Sequence, residues 1–238
     1  MQKFLLSFFL FFSSFCLSPF ASALPQEHDA WHESNNDYRT MYDRYEIAMQ
    51  RAYDALSEDA YKKLEQDNDA VIDASAKNAS DKDAALACAQ ALAERVLVVE
   101  EMVSKVSQDQ LEGTPNPLEG FYRLNGRQGD DGYLTISRDG NGGFCLEIGV
   151  WQKDAPQSFG WTQAQSTTLG ENFSTTTVYQ PQTADEISAK DVQLQITVKD
   201  GKAVITTTEA FRKGGYVWFS KGEEDTIKNI LLDGTYQR

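Results

Sequence analysis

Hydrophobic residues in the first half of the chain recur every three or four positions, which is the spacing of amphipathic helices. They form three stripes, over residues 38–56, 61–72 and 85–106. Ser57 and the two acids after it precede the second stripe, and this combination is typical of a helix N-cap. Ser80, three residues before Asp83, precedes the third stripe in the same way. We therefore expect a small helical domain over residues 37–108.

From residue 119 onward the hydrophobic period changes to two, which indicates β-strands. Residues 109–118 separate the two patterns, and their prolines and glycine predict a linker. Asp200-Gly201, between QLQITVK and KAVITTT, is a strong signal for a β-hairpin turn. About eight or nine strands in a stretch of this length suit a small antiparallel barrel or sandwich.

The short phrase GFYR at residues 120–123 returns as GTYQR at residues 234–238. It marks either an internal repeat or two neighbouring strands, and no other part of the strand region recurs. A closed sheet pairs its first and last strands, because this pairing removes both exposed edges. We therefore predict an α+β fold, in which a small N-terminal helical bundle precedes a closed antiparallel β-barrel over residues 119–238. The two segments should be paired in that barrel.

The first 23 residues have the features of a secretory signal peptide. Lys3 precedes an apolar run that is too short to span a membrane comfortably, and Ala21-Ser22-Ala23 is a small-residue cleavage signal. We expect cleavage after Ala23 and a periplasmic or secreted protein with no membrane span. Residues 24–36 are expected to form a flexible arm.

Two cysteines, Cys88 and Cys145, remain after cleavage, and an oxidising compartment would allow one disulfide between the two halves. Cys88 falls on the apolar stripe of the third predicted helix. In the strand FCLEIGVW, Cys145 shares one face with Glu147 and Trp151, while the alternate residues form an apolar face. A disulfide would draw Cys88 out of its own bundle, so we favour two thiols.

The chain is acidic, with 22 basic and 36 acidic side chains and a formal net charge of −14. The helical half is the more acidic, because residues 24–112 hold 20 acids and 9 bases against 16 and 12 in residues 113–238. Such a surface repels nucleic acid and anionic lipid, and it accelerates association with a basic protein partner. Solubility of a secreted protein is the alternative explanation of this charge.

Few residues in the sequence suit catalysis, so we expect a binding protein and not an enzyme. His28 and His32 are the only histidines, and their spacing would suit a metal ion only if the predicted arm were helical. A Ser-His-Asp or Cys-His arrangement would need this arm, and the sequence has no phosphate loop or dinucleotide fingerprint. The sequence therefore predicts no cofactor and no metal site.

One stretch in the strand half carries a more specific pattern, TTTEAFRKGGYVWFSKGEED at residues 206–225. An aromatic strand leads into the sequence SKG, and three acids follow. This pattern resembles the membrane-bound inhibitor of c-type lysozyme family. The resemblance implies that Lys221 enters the cleft of a lysozyme, together with a hydroxyl that is matched here by Thr207. Ser220 and Gly222 would contact the lysozyme beside the lysine. The Ser-Gly of the family's first loop is replaced by Thr-Thr, and the family's cysteines are absent.

The helical half carries a second resemblance. Residues 42–74, YDRYEIAMQRAYDALSEDAYKKLEQDNDAVIDA, resemble the LprI-type helical domain of periplasmic lysozyme inhibitors. In that family the second helix carries a Leu-x-x-x-Gln-like run, which corresponds here to residues 64–68. The Trp and several cysteines of the family are missing.

Both resemblances imply a lysozyme inhibitor. Lysozymes hydrolyse glycosides with two carboxyl groups in a cleft, so a protruding lysine can pair with those groups. An acidic inhibitor is also steered toward the basic c-type lysozymes. The alternative is a barrel that binds a small ligand or a cell-envelope component in its interior. Large aromatic residues such as Trp151, Trp161 and Phe173 could line a pocket there as readily as fill a core.

Overall fold

The computed structural model describes residues 27–80, 83–109, 116–138, 142–180, 185–187, 194–209, 211, 218–219 and 231–238. Within these residues the chain forms four helices, α1 (His28–Ser34), α2 (Asn36–Ala55), α3 (Glu58–Asn78) and α4 (Ala84–Asp109). The strands that follow are β1 (Gly120–Asn125), β2 (Asp130–Arg138), β3 (Phe144–Gln152), β4 (Ala155–Ser166), β5 (Asn172–Ser174), β6 (Thr177–Gln180), β7 (Asp185–Ile187), β8 (Leu194–Lys199), β9 (Lys202–Thr207), β10 (Trp218–Phe219) and β11 (Gly234–Gln237). The predicted α+β fold is confirmed.

A side-chain cap begins α3 where the sequence predicts it, and a hydrogen-bonded turn precedes α4. The Ser57 side chain accepts a hydrogen bond from the backbone N–H of Ala60 at 3.4 Å and begins α3. Before α4, the Asp83 backbone N–H donates to the Ser80 carbonyl at 2.8 Å. The Ser80 hydroxyl donates to the Asp83 carboxylate at 2.5 Å and closes this turn. The Ser57 bond satisfies an N–H group that the first turn of a helix otherwise leaves without a partner.

The predicted flexible arm over residues 24–36 is wrong for its described part, because residues 28–34 form helix α1. Trp31 packs against the hydrophobic cluster of the helices. The ring of His28 lies 5.3 Å from that of Tyr38 and 4.3 Å from that of Tyr42, measured between centroids. Aromatic contacts fix this seven-residue helix, and its two adjacent apolar residues, Ala30 and Trp31, show too little periodicity for the sequence to reveal it.

The helices α2 and α3 both pack on α4, around a cluster that is mostly apolar. One polar residue, Asn68 of α3, lies fully buried in it. Its side-chain amide donates to the Tyr45 hydroxyl at 3.0 Å and accepts from Arg95 Nε at 2.6 Å. These bonds link α2, α3 and α4 and satisfy the buried amide, which would otherwise be costly.

The strands form one antiparallel sheet in the order β5-β8-β9-β11-β1-β2-β3-β4-β6-β7, and β10 pairs with β4. The two consecutive strands β5 and β6 connect the two sides of this order. β5 pairs with β8 on one side, and β6 pairs with β4 on the other. Between them, the Thr175 N–H donates to the Leu194 carbonyl at 3.1 Å and the Thr176 N–H to the Gln165 carbonyl at 2.7 Å. The sheet is therefore rolled into a nearly closed barrel.

The predicted pairing of the first and last strands is confirmed. β1 and β11 are antiparallel neighbours, with Arg123 opposite Gln237. Each strand begins at the glycine of the sequence Leu-acid-Gly-x-Tyr, and each tyrosine is fully buried. The Tyr122 hydroxyl donates to the Leu118 carbonyl at 2.7 Å, and the Tyr236 hydroxyl donates to the Leu232 carbonyl at 2.7 Å. The repeated phrase therefore builds the same corner twice, on adjacent strands.

Two further local predictions are confirmed in the sheet. Asp200 and Gly201 have φ angles of 52° and 73°, and they join β8 to β9 with Lys199 opposite Lys202. Positive φ at both central residues is the geometry of a tight hairpin turn, and glycine adopts it without strain. In β3, the alternate residues Leu146, Ile148 and Val150 lie in the cluster inside the barrel.

The outer face of β2, β3 and β4 is covered by helices. Its aromatic side chains, Tyr133, Trp151 and Phe159, belong to the same hydrophobic cluster as the cores of α2 and α4. α2 packs against β4, and α4 packs against β1, β2 and β4. The helical and strand halves are thus joined by a shared apolar layer, and this part of the sheet is buried on both faces.

Candidate functional site

Thr207, the residue matched to an inserted hydroxyl, lies at the end of β9 and is only 4% exposed. Its backbone N–H donates to Asp233 Oδ1 at 2.8 Å, and its hydroxyl donates to Asp233 Oδ2 at 2.5 Å. Asp233 is the acid of the second Leu-acid-Gly-x-Tyr corner, so Thr207 fixes the start of β11. This position does not fit the role of a hydroxyl that enters a partner's cleft. The contact joins residues 26 positions apart, which is why local sequence patterns did not reveal it.

The other predicted contact residues, Ser220, Lys221 and Gly222, lie outside the described residues. The described chain reaches Trp218–Phe219, which forms β10 and pairs with β4 through Trp218 opposite Trp161 and Phe219 opposite Gly160. Two residues of the predicted aromatic strand are therefore confirmed as a strand. Thr207 lies on β9, whereas β10, the strand that precedes Lys221 in the sequence, lies beside β4. β9 and β4 are not neighbours in the sheet.

The three aromatic residues that could either line an internal pocket or fill a core divide between two faces of the sheet. Phe173 is part of the cluster inside the barrel. Trp151 and Trp161 belong to the helix-covered side, where they pack with the helical core. The three residues therefore do not line one pocket, and each packs in a hydrophobic cluster. Alternation along β3 and β4 sends these two tryptophans outward, and the sequence does not show that helices cover them.

The most elaborate polar cluster lies between the helices and the sheet, where the sequence analysis placed no functional residue. Arg44 of α2 donates through Nη2 to Glu100 of α4 at 2.7 Å and to Glu147 of β3 at 2.5 Å. Arg51 pairs with the same two carboxylates. The Tyr133 hydroxyl donates to Glu147 at 2.6 Å. Two arginines and two glutamates therefore balance in charge at this buried contact.

Gly149 explains how Tyr133 reaches this cluster. A Cβ atom at residue 149 would lie 2.7 Å from Tyr133 Cε1, closer than side chains tolerate. Glycine on β3 therefore lets the tyrosine ring lie flat against the strand and bring its hydroxyl to Glu147. A glycine inside a strand often marks such a close approach, and this was the one sequence signal that pointed to the cluster.

The electrostatics of the cluster suit a structural role. Burial alone would raise the pKa of Glu147, but Arg51 and Arg44 outweigh it and hold the pKa below its usual range. Burial raises the pKa of Tyr133. These shifts favour an ionised Glu147 carboxylate and a protonated Tyr133 hydroxyl, which are the forms that pair with the two arginines. Removing one member would instead leave an uncompensated charge in the interface.

The histidines and cysteines have separate partners. His28 Nδ1 is hydrogen-bonded to the Tyr38 hydroxyl, and His32 Nε2 lies 2.9 Å from Asp43 Oδ1. No group of three or more His, Cys, Asp or Glu side chains that suits a metal ion occurs in the part of the chain that the structure describes. Neither Cys88 nor Cys145 is in a disulfide. Burial, followed by Asp73, raises the pKa of the Cys88 thiol to about 11, which makes it unreactive.

Comparison of the chain with protein families, with characterised proteins and with solved structures finds no match. The two resemblances to lysozyme inhibitors therefore rest on the quoted residues alone. Among the described helices, none combines the length and the apolar character that crossing a bilayer requires.

Proposed function

We propose that the protein is a secreted or periplasmic binding protein that inhibits a c-type lysozyme by inserting Lys221 into the active-site cleft. The observation that carries the proposal is β10. This strand is paired with β4, and Lys221 follows it by two residues in the sequence. A lysine next to an anchored strand loses less conformational freedom on binding than one on a long loop.

Charge supports a basic partner. Lysozyme holds two carboxyl groups in its cleft, and a lysine ammonium can pair with them after both partners are desolvated. The net charge of −14 steers a basic protein toward the inhibitor before contact. Ser220 and Gly222 flank the lysine with small side chains, which allow close approach to a cleft. Thr207 has no place in this contact, because its hydroxyl is buried against Asp233.

The signal-peptide features of residues 1–23 support a secreted or periplasmic location, which is where such an inhibitor would meet lysozyme. The alternative is a ligand bound in the barrel interior. Two of the three aromatic residues considered for it, Trp151 and Trp161, lie on the helix-covered face instead. It therefore has no specific observation in its favour.

Turbidity assays with purified protein and several lysozymes test the proposal. Lys221→Ala should weaken inhibition of a c-type lysozyme by tens-fold or more, because truncating one partner of a desolvated ion pair costs about 2–5 kcal/mol. Lys228→Ala changes the charge equally at a site outside the SKG sequence and should have little effect. Equal weakening by both variants would attribute the inhibition to bulk charge. Full activity of every lysozyme with wild-type protein would overturn the proposal.

A further inference from the structure

A second candidate surface lies on the helices, far along the chain from Lys221. It is formed where α2 and α3, both packed on α4, face solvent side by side. We call it the acid–tyrosine face, and it consists of Tyr42 and Glu46 of α2 and Tyr61, Glu65, Asp69 and Asp73 of α3. The exposed side chain of Tyr53, 50% accessible, lies on α2 as well.

The carboxylates of this face are not neutralised. In the described part of the chain, none of Glu46, Glu65, Asp69 and Asp73 takes part in a salt bridge. The lysines of α3 pair elsewhere, Lys62 with Glu58 at 2.5 Å and Lys63 with Asp67 at 2.7 Å. These two pairs span one turn on the exposed side of the helix.

Asp69 shows the cost of this arrangement most clearly. Its Oδ1 atom is buried and has no hydrogen-bond partner among the described residues. Burial, and then the charges of Glu65 and Asp73, raise the pKa of its carboxyl to about 6. The pKa of Glu46 is raised as well, by burial and by Asp43 and Glu65, although a hydrogen bond from Tyr42 opposes the shift. A cationic ligand would relieve the repulsion between these unpaired carboxylates.

The spacing of the acids favours a row of cations over a single ion. Glu65, Asp69 and Asp73 stand at successive four-residue intervals on α3, which places their Cα atoms about 6 Å apart along the helix axis. No three acids converge closely enough to hold one metal ion in the described part of the chain. Side chains on one face of an extended segment, or four residues apart on a helix, repeat at a similar spacing of about 6–7 Å.

The tyrosines add a second means of recognition. The ring of Tyr61 meets that of Tyr53 edge-on, with centroids 5.3 Å apart. Aromatic faces attract ammonium and guanidinium groups, most strongly where the contact excludes water.

We propose that the acid–tyrosine face binds a segment of a partner protein that presents two or three Lys or Arg side chains about 6–7 Å apart. Glu65, Asp69 and Asp73 pair with successive cations, and Tyr61 lies against one of them. The inference does not depend on Lys221 or on lysozyme.

The test measures binding of a labelled peptide with Lys at alternate positions to the purified protein, by fluorescence anisotropy at 0.15 M salt. A peptide of the same composition with its lysines clustered at one end is the spacing control. The variant Glu65→Gln/Asp69→Asn/Asp73→Asn should weaken binding of the alternating peptide at least tenfold. The matched variant Glu58→Gln/Asp59→Asn/Asp67→Asn removes the same charge from exposed positions of the same helix. It should weaken binding less than threefold.

Each outcome decides the inference. Equal weakening by both variants, equal binding of both peptides, or no binding of either peptide to the wild-type protein would overturn it. Displacement of the peptide by stoichiometric Ca²⁺ would overturn it too, in favour of a metal site. The first variant removes mutual repulsion and should fold normally, which circular dichroism and the melting temperature check. Lys221→Ala should bind the peptide normally, so failure here and failure of the lysozyme proposal are distinguishable.

Discussion

The outer surface of the barrel differs sharply between two regions. On β8 and β9 the residues alternate strictly between buried and exposed, with Gln195, Thr197 and Val204 facing solvent. On β3 the six residues from Leu146 to Trp151 are all buried, because α2 and α4 cover the outward side. The covered region contains the charges of Glu147, Arg44 and Glu100, whereas the open region is mostly uncharged in its middle.

The comparison shows that charged side chains occur where they have ion-pair partners, even at positions that are buried. Glu147 is tolerated under the helices because Arg44, Arg51 and Tyr133 all reach it. A buried ionic cluster contributes little net stability compared with apolar packing, but it penalises any other placement of its members. We therefore expect the cluster to favour one placement of the helices on the sheet over others.

The largest effect is expected from Glu147→Ala. Truncation leaves Arg44 and Arg51 with one buried carboxylate between them, and such losses typically cost about 3–5 kcal/mol. Gln195→Ala, outward on the open region, should change the free energy of unfolding by less than about 0.5 kcal/mol. Urea denaturation of both variants measures the difference. Similar losses from the two would remove the distinction between the regions.

The same carboxylate predicts a pH dependence. The pKa of Glu147 is lower in the folded protein than in the unfolded chain, so its stabilising contribution is present above the unfolded pKa of about 4.3. This contribution is lost as the pH falls further toward the folded pKa. The wild-type protein should therefore lose stability below about pH 4 more steeply than Glu147→Gln does.

Asp69→Asn is expected to have a smaller effect of the opposite sign. Because burial raises the pKa of Asp69 to about 6, above its unfolded value, the ionised form costs stability. The cost is complete above pH 6 and disappears as the pH falls to about 4. The variant should therefore melt on the order of 2–4 °C higher than the wild type at pH 7.5. Asp67→Asn, at a paired and exposed position, should not. An equal gain at pH 4 would contradict this explanation.

The smallest effect is expected at Val204, which is 44% exposed in the open region. Val204→Thr keeps the β-branched shape and should change the free energy of unfolding by less than about 0.5 kcal/mol. Ile205→Thr, one residue along and facing the interior, should cost about 1–3 kcal/mol because a hydroxyl enters an apolar core. Thermal unfolding of the two variants compares the faces directly. A marked loss at Val204 would mean that this face is covered by a partner or by other residues.

The sequence predicted the elements better than their contacts. The three stripes, the Ser57 cap, the Asp200-Gly201 turn and the pairing of β1 with β11 are local or repeated signals, and all are confirmed. Helix α1 was missed because it is short and anchored by aromatic contacts. Arg44 was missed because a charged residue in a helical pattern suggests a solvated face, while its partner Glu147 stands 103 residues away.

The candidate site was predicted less well for the same reason. Thr207 was interpreted from its neighbours in the sequence, but its position is decided by Asp233. The assignment of Lys221 stays a prediction. The acid–tyrosine face combines side chains of two helices, and only their packing on α4 brings Tyr42 and Glu46 beside Glu65.

The pairing of β11 has a consequence for how the chain folds. β11 lies between β9 and β1, and the side-chain hydrogen bond between Asn125 and Gln237 joins residues 112 positions apart. Until residues 234–237 have been synthesised, β1 and β9 each keep an unpaired edge. Contacts of such long range form slowly, and open edges invite pairing between chains. The newly made protein therefore passes through a stage in which aggregation competes with the arrival of one four-residue strand.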